Sequence, residues 1–250
     1  MRNMWTIARR EYKLFFTNPI AYVVAFFFMI ILGYMFFNAL AQANIYAMYG
    51  QSYAPGPDIV TGPWMVILMV FAMPAITMRS IAEEVHTGTM ELMLTAPVKD
   101  WELIVGKWLG TFMFMLSLLA ITWVFPIILN RFVTPGIDQG VLLSGYVGLV
   151  LMAASLVAIG IFISSLFNNQ VVVFFVSLAV VLILWFVISP MSNTSSSMGS
   201  QIMNYLNLIN HYSLNFYQGT IDLSDAVYFL SITAFSLFLG TVSIEVRRWR

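Results

Sequence analysis

The chain has no cysteine and only two histidines, and acidic and basic residues together make up 9% of its 250 positions. Without cysteine, disulfides, thiolate nucleophiles and sulfur-ligated metals are excluded, and the redox compartment is left open. The histidines, His86 and His211, stand far apart. His86 shares a helical turn with Glu83, but two ligand types on a wet surface read as a solvated face, not a metal site. Charge is scarcest inside the long apolar runs, which contain no histidine and almost no ionisable residue away from their ends. Ion-coupled carriers and intramembrane enzymes draw on such residues, so their absence argues against both. A phosphate-cradling G-x-x-x-x-G-K-[ST] loop is also missing, because Gly106-Lys107 lacks the upstream glycine and the hydroxyl residue. No catalytic residue, metal, cofactor or nucleic-acid partner is expected.

What the chain has in abundance is apolar surface: 60% hydrophobic residues and a mean hydropathy of +0.88. A bilayer-spanning helix needs about 20 mostly apolar residues. Six runs meet this: Ile20 to Leu40, Ile59 to Met78, Leu103 to Leu129, Val141 to Leu166, Val171 to Ser189 and Ala226 to Ile244. Lipid offers backbone groups no hydrogen bonds, and runs of this length without alternation exclude a barrel. The expected fold is therefore an all-α polytopic membrane protein with one transmembrane domain over residues 1–250. Ten of the eleven basic residues, among them Arg9, Arg10, Arg79, Lys99, Lys107 and Arg247, flank one side of these spans. Arg131 stands on the other with Asp58, Asp138, Asp222 and Asp225. The positive-inside rule then places both ends of the chain and the 79–107 connection in the cytoplasm.

That connection, RSIAEEVHTGTMELMLTAPVKDWELIVGK, gathers five of the eleven acidic residues. Ser80 is positioned to cap a short helix over Ile81 to Val85, with Glu83 and Glu84 in its first turn and Gly88 to end it. Thr89 is the expected N-cap of a second short helix that holds Glu91 and stops at Pro97, and Asp100 with Glu102 opens the next span. Two short helices at a membrane surface make a rigid protrusion for a partner protein; an amphipathic turn that merely joins two spans is the alternative reading. Ahead of the first span, residues 1–18 place Trp5, Ala8, Tyr12 and Phe15 on one stripe, as expected of an elbow helix lying in the interface before Asn18-Pro19 turns the chain inward. Pro74 is expected to kink the second span. Gly148, Ala153, Ala154, Ser155, Ala158 and Gly160 predict a closely packed fourth span. Asn168 to Gln170 reads as an ordinary turn. The 191–225 segment reads as the external one, with a short amphipathic helix through Ile202, Tyr205, Leu206 and Ile209 turned towards the membrane.

Glu84, Gly88, Thr89, Glu91, Leu92, Leu94 and Pro97 stand as E-x-x-x-G-T-x-E-L-x-L-x-x-P. This resembles the cytoplasmic signature of ABC-2 type permeases, the membrane subunits of one class of ATP-driven exporters. Over a wider stretch, from RREYKLFFTNPIAY to the final RRW, the chain is similar to the gliding-motility-associated, GldF-like branch of that family. The resemblance implies a multi-pass protein of the bacterial inner membrane. It implies a homodimer, or a heterodimer with a homologous permease, bound to two cytoplasmic ABC ATPase subunits, with a periplasmic auxiliary subunit as a further partner. It also implies a coupling helix that includes Glu83, Glu84, Gly88, Thr89, Glu91, Leu92, Leu94 and Pro97, and short external or re-entrant helices in the 191–225 segment. A membrane scaffold of a gliding or cell-surface machine is the alternative to solute export. No residue pattern identifies the cargo.

Overall fold

A computed structural model describes residues 2–50, 55–90, 98–133, 136–187 and 205–248. Its elements are α1 (Arg2–Thr17), α2 (Pro19–Met48), α3 (Asp58–Thr61), α4 (Pro63–Thr77), α5 (Ala82–His86), α6 (Asp100–Thr122), α7 (Val124–Phe132), α8 (Gln139–Leu166), α9 (Gln170–Leu182), α10 (Leu208–Ser213) and α11 (Leu223–Arg248). A π turn over Ile183–Val187 prolongs α9, and a 3-10 turn over Phe216–Gln218 follows α10. No strand occurs among the described residues. Five helical stretches there are long and apolar enough to cross a membrane, and α9 with its π turn forms a shorter apolar sixth. Ser189, the expected end of that span, lies outside the described residues.

Helix α8 is the centre of the bundle. Its small side chains admit neighbours on several sides: a Cβ on Gly160 would fall 2.7 Å from the Cβ of Thr77 in α4, and one on Gly148 would fall 2.6 Å from Phe216. The expected dense packing of this helix is what the structure shows, and Leu149, Met152, Ala153, Val157 and Ile161 are fully buried. By contrast α2, with Phe26, Phe27 and Phe37 exposed, has most of its surface free for lipid. Pro74 sits within α4, which continues helical to Thr77.

The elbow helix packs along one face of α6. Residues Met4 and Ile7 meet Gly106, Ala8 and Glu11 meet Gly110, and Phe15 stacks on Phe114 with ring centroids 4.6 Å apart. Both numbers rise together, so α1 runs parallel to the first turns of α6. Its buried stripe is Ala8 and Glu11 flanked by Ile7 and Phe15, while Trp5 is exposed. The cause is on α6: glycines four residues apart on one face let a second backbone approach.

The 205–218 segment is described from Tyr205 onward. Ile202 lies outside the described residues, and Tyr205 and Leu206 are exposed. The short helix starts at Leu208, where the side chain of Asn207 accepts from the N–H groups of Ile209 (3.0 Å) and Asn210 (3.2 Å). Leu208, Tyr212 and Phe216 turn into the bundle core.

Candidate functional site

At the end of the bundle that carries Arg79, Lys99, Lys107 and Arg247, called here the basic end, α5 hangs between α4 and α6. A five-residue helix is not stable alone, because one or two backbone hydrogen bonds do not offset the ordering of its dihedrals. It is held from outside. Ser80, expected as its cap, makes no such bond and instead donates its hydroxyl to Glu11 Oε1 at 3.3 Å. The cap comes from α8: Ser164 Oγ accepts from the N–H groups of both Ile81 and Ala82, each at 3.1 Å. Two orphan donors of the helix start are satisfied by a residue more than eighty positions away, which fixes α5 to the base of the central helix.

The second anchor is electrostatic. Lys107 is 1% exposed. Its Nζ donates to Ser80 O at 2.6 Å, to Glu84 Oε1 at 2.9 Å and to Glu11 Oε2 at 3.3 Å. One ammonium thus joins α1, the α4–α5 corner and α6, with all three of its donors used. The surrounding wall is the Gly106–Gly110 face, so the approach of α1 that places Glu11 depends on the same glycines that frame Lys107. Lys107 reads in the sequence as a flanking surface charge, and Glu84 as an acid turned towards a partner. In the structure the two face each other.

Arg79 makes a third junction. It donates from Nη1 to Asn18 Oδ1 (2.9 Å) and from Nε to Gln170 Oε1 (3.2 Å), and it lies 3.7 Å from Glu83. The α1–α2 corner, the start of α9 and α5 meet on one guanidinium. The Asn168–Gln170 turn is therefore more than a linker. Asn169 caps α9, and Asn168 accepts from Arg247 Nη1 at 2.9 Å.

Of the coupling residues expected from the sequence, the described region brings four together. Glu83 and Glu84 sit on α5. Gly88 follows it with φ +73°, a left-handed conformation that ends the helix and disfavours any side chain. Thr89 is exposed and donates to the Glu84 carbonyl at 3.3 Å, lying 3.0 Å from the Thr87 hydroxyl. Glu91, Leu92, Leu94 and Pro97 lie outside the described residues. On either side of α5 is a concavity. One, of about 450 Å³, runs between α1, the start of α2 and α4, with Arg10, Phe15, Ile76 and Glu83 in its wall. The other, of about 970 Å³, is bounded by Val85, Met90, Phe167 and Arg247. The arrangement is a braced ridge.

The family model for ABC-2 family transporter proteins matches residues 5–245. This chain belongs to the ABC-2 transporter family. It is accordingly a membrane permease component of an ABC transporter, a non-catalytic transmembrane subunit that partners an ABC ATPase, and a multi-pass membrane protein. No curated protein matches the chain. In this ABC-2 permease the α4–α6 connection is anchored to three helices through Lys107, Arg79 and Ser164. Neither the inward turn of Glu84 nor the burial of Glu11 follows from the motif. The available signal was Gly106-x-x-x-Gly110 bracketing Lys107, with Ala8 and Glu11 in register on α1.

Proposed function

We propose that this chain is the permease of an ATP-driven exporter, and that residues 79–107 are the coupling region through which a separate cytoplasmic ATPase pair moves the spans. The observation that carries this reading is the Lys107 junction. A push on α5 reaches α1 through Glu11, α6 through Lys107 and α8 through Ser164, so a short ridge is tied to helices of the whole bundle. Rigid-body rocking of packed helices is a common response to such a push. Two permeases, identical or homologous, would face two ATPase subunits across the cytoplasmic membrane, with the basic end and both ends of the chain on the ATPase side. The GldF-like resemblance of the sequence supports a place in the gliding-associated branch. There a scaffold role in a surface machine, with a periplasmic auxiliary subunit, is the second reading.

Within this reading the expected roles divide. Glu83 and Glu91 are the acids for a basic groove on the ATPase. Glu84 sets the orientation of the ridge from inside, and Gly88-Thr89 sets the bend. Gly88→Val tests this in reconstituted vesicles: among the described residues, no atom beyond the chain neighbours lies within 4 Å of the position a Cβ would take, and the left-handed backbone at φ +73° is what the side chain strains. The variant should insert and bind the ATPase while ATP hydrolysis no longer drives transport. Normal coupled transport would overturn the assignment. ATP hydrolysis with no movement of any lipid or solute in the wild-type complex would favour the scaffold.

A further inference from the structure

At the end of the bundle opposite Lys107, His211 of α10 lies beside Asp225 at the start of α11. The sequence shows His211 as an isolated residue; the structure gives both of its ring nitrogens a partner. Nδ1 is 2.6 Å from Asp225 Oδ1, and Nε2 is 2.8 Å from the carbonyl oxygen of Tyr205. A carbonyl oxygen can only accept. An ionised carboxylate can only accept. A neutral imidazole carries one N–H and cannot donate to both. The geometry is complete only when the pair holds two protons, as imidazolium with carboxylate or as Nε2–H imidazole with a protonated carboxyl.

We propose that His211 and Asp225 form a proton-binding latch over the 205–225 segment, closed when the pair holds two protons and opened when one passes to water. Aromatic side chains pack on the imidazole ring. Tyr228 lies flat against it, with centroids 3.9 Å apart and an interplanar angle of 20°, presenting the electron-rich face of an aromatic ring to a cation. Tyr205 meets it edge-on at 5.2 Å. Asp225 is 4% exposed and is also held by Asn215 Nδ2 at 2.7 Å, so the carboxylate is fixed in place as the acceptor. The titratable groups facing the imidazole are Asp225 and Tyr228 of α11 and Tyr205 of the preceding turn. On α10 itself Tyr212 is bonded to Thr61, and Tyr217 of the 3-10 turn and Tyr146 of α8 act on Tyr212. The π turn Ile183–Val187, also packed on α10, has no titratable side chain.

Loss of one proton removes the donor from either the Asp225 contact or the Tyr205 contact. Either break releases one side of α10, while Tyr212 and Phe216 keep the other in the core. The order of residues 205–213 would then follow the acidity of the compartment they face.

The test uses the full chain, labelled with 15N-histidine, in lipid nanodiscs between about pH 5 and about pH 9, the range in which imidazole changes charge. Imidazole 15N shifts report the protonation of His211, with His86→Gln used for assignment. Amide exchange of residues 208–213, corrected for its intrinsic pH dependence, reports the latch. Exchange should be slow wherever His211 is imidazolium or shares its proton with Asp225. It should be at least about tenfold faster where the pair holds one proton, as for the loss of one charge-assisted hydrogen bond. Residues 58–61 serve as the control and should not change. Asp225→Ala, which leaves Nδ1 without its partner in either state of the ring, should exchange fast throughout. Equal protection in both protonation states of the wild-type pair, which alone decides the matter if the variant fails to insert, would overturn the latch. So would an Asp225→Ala protein that keeps the slow, pH-dependent pattern.

Discussion

The two ends of this bundle are stitched by different chemistry. At the basic end, helices distant in sequence meet on charged groups: buried Lys107 with Glu11 and Glu84, and half-buried Arg79 with Asn18 and Gln170. At the opposite end the seams are mostly neutral. Ser144 donates to Phe216 O at 2.9 Å, the Tyr212 hydroxyl donates to Thr61 O, and Thr122 and Tyr146 share a hydroxyl pair at 2.8 Å. Burial raises the Tyr212 phenol above its ordinary value, so it stays a donor. His211 and Asp225 are the ionisable exception there. A neutral hydrogen bond contributes about 1 kcal/mol and is lost gracefully, whereas a buried ion stripped of its partner is costly. The difference suits an end that receives force and an end that opens and closes more softly.

That contrast can be broken by substitution. Lys107→Met should have the largest effect, because it leaves Glu11 and Glu84 facing each other without the buried ammonium between them. A loss of about 3–5 kcal/mol is expected, read as a large drop in the thermal-unfolding midpoint in mild detergent. Ser164→Ala comes next. It uncaps α5 from α8 at a cost of about 1 kcal/mol, and hydrogen exchange over residues 81–86 should rise before any global change is seen. Tyr212→Phe at the opposite end should be the smallest, about 1 kcal/mol or less, since the ring still fills its place in the core and only the bond to Thr61 is lost. Should Tyr212→Phe destabilise more than Lys107→Met, the two ends are not held as described.

The apolar spans, the asymmetry of basic residues, the helix stop at Gly88 and the acidic start of α6 at Asp100 and Glu102 were legible in the sequence. Each is a local signal: a run length, a charge count, a conformation that glycine adopts cheaply, a helix dipole. The junctions were not. Lys107 at the edge of an apolar run reads as a flanking charge, and only the approach of α1 over Gly106 and Gly110 makes it a buried hub. Ser164 is one small residue among several on α8, and its capping role exists only because α5 lands beside it. His211 and Asp225 are 14 residues apart with no periodic relation to reveal their contact. The seat of α1 on α6 is hidden for the same reason. Its stripe of Trp5, Ala8, Tyr12 and Phe15 suits an interface, and only the glycine face of α6 shows why Glu11 turns inward.

The central claim, that Lys107 joins the coupling ridge to the bundle through two carboxylates, is tested by restoring neutrality. Thermal unfolding would be measured for Lys107→Met, for Glu11→Gln with Glu84→Gln, and for the triple variant. If the three groups form one buried charge cluster, their effects are strongly non-additive: the triple variant, with no buried charge left unpaired, should be more stable than Lys107→Met alone. A triple variant as unstable as the sum of its parts would show that these side chains act separately, and would remove the hub from the account.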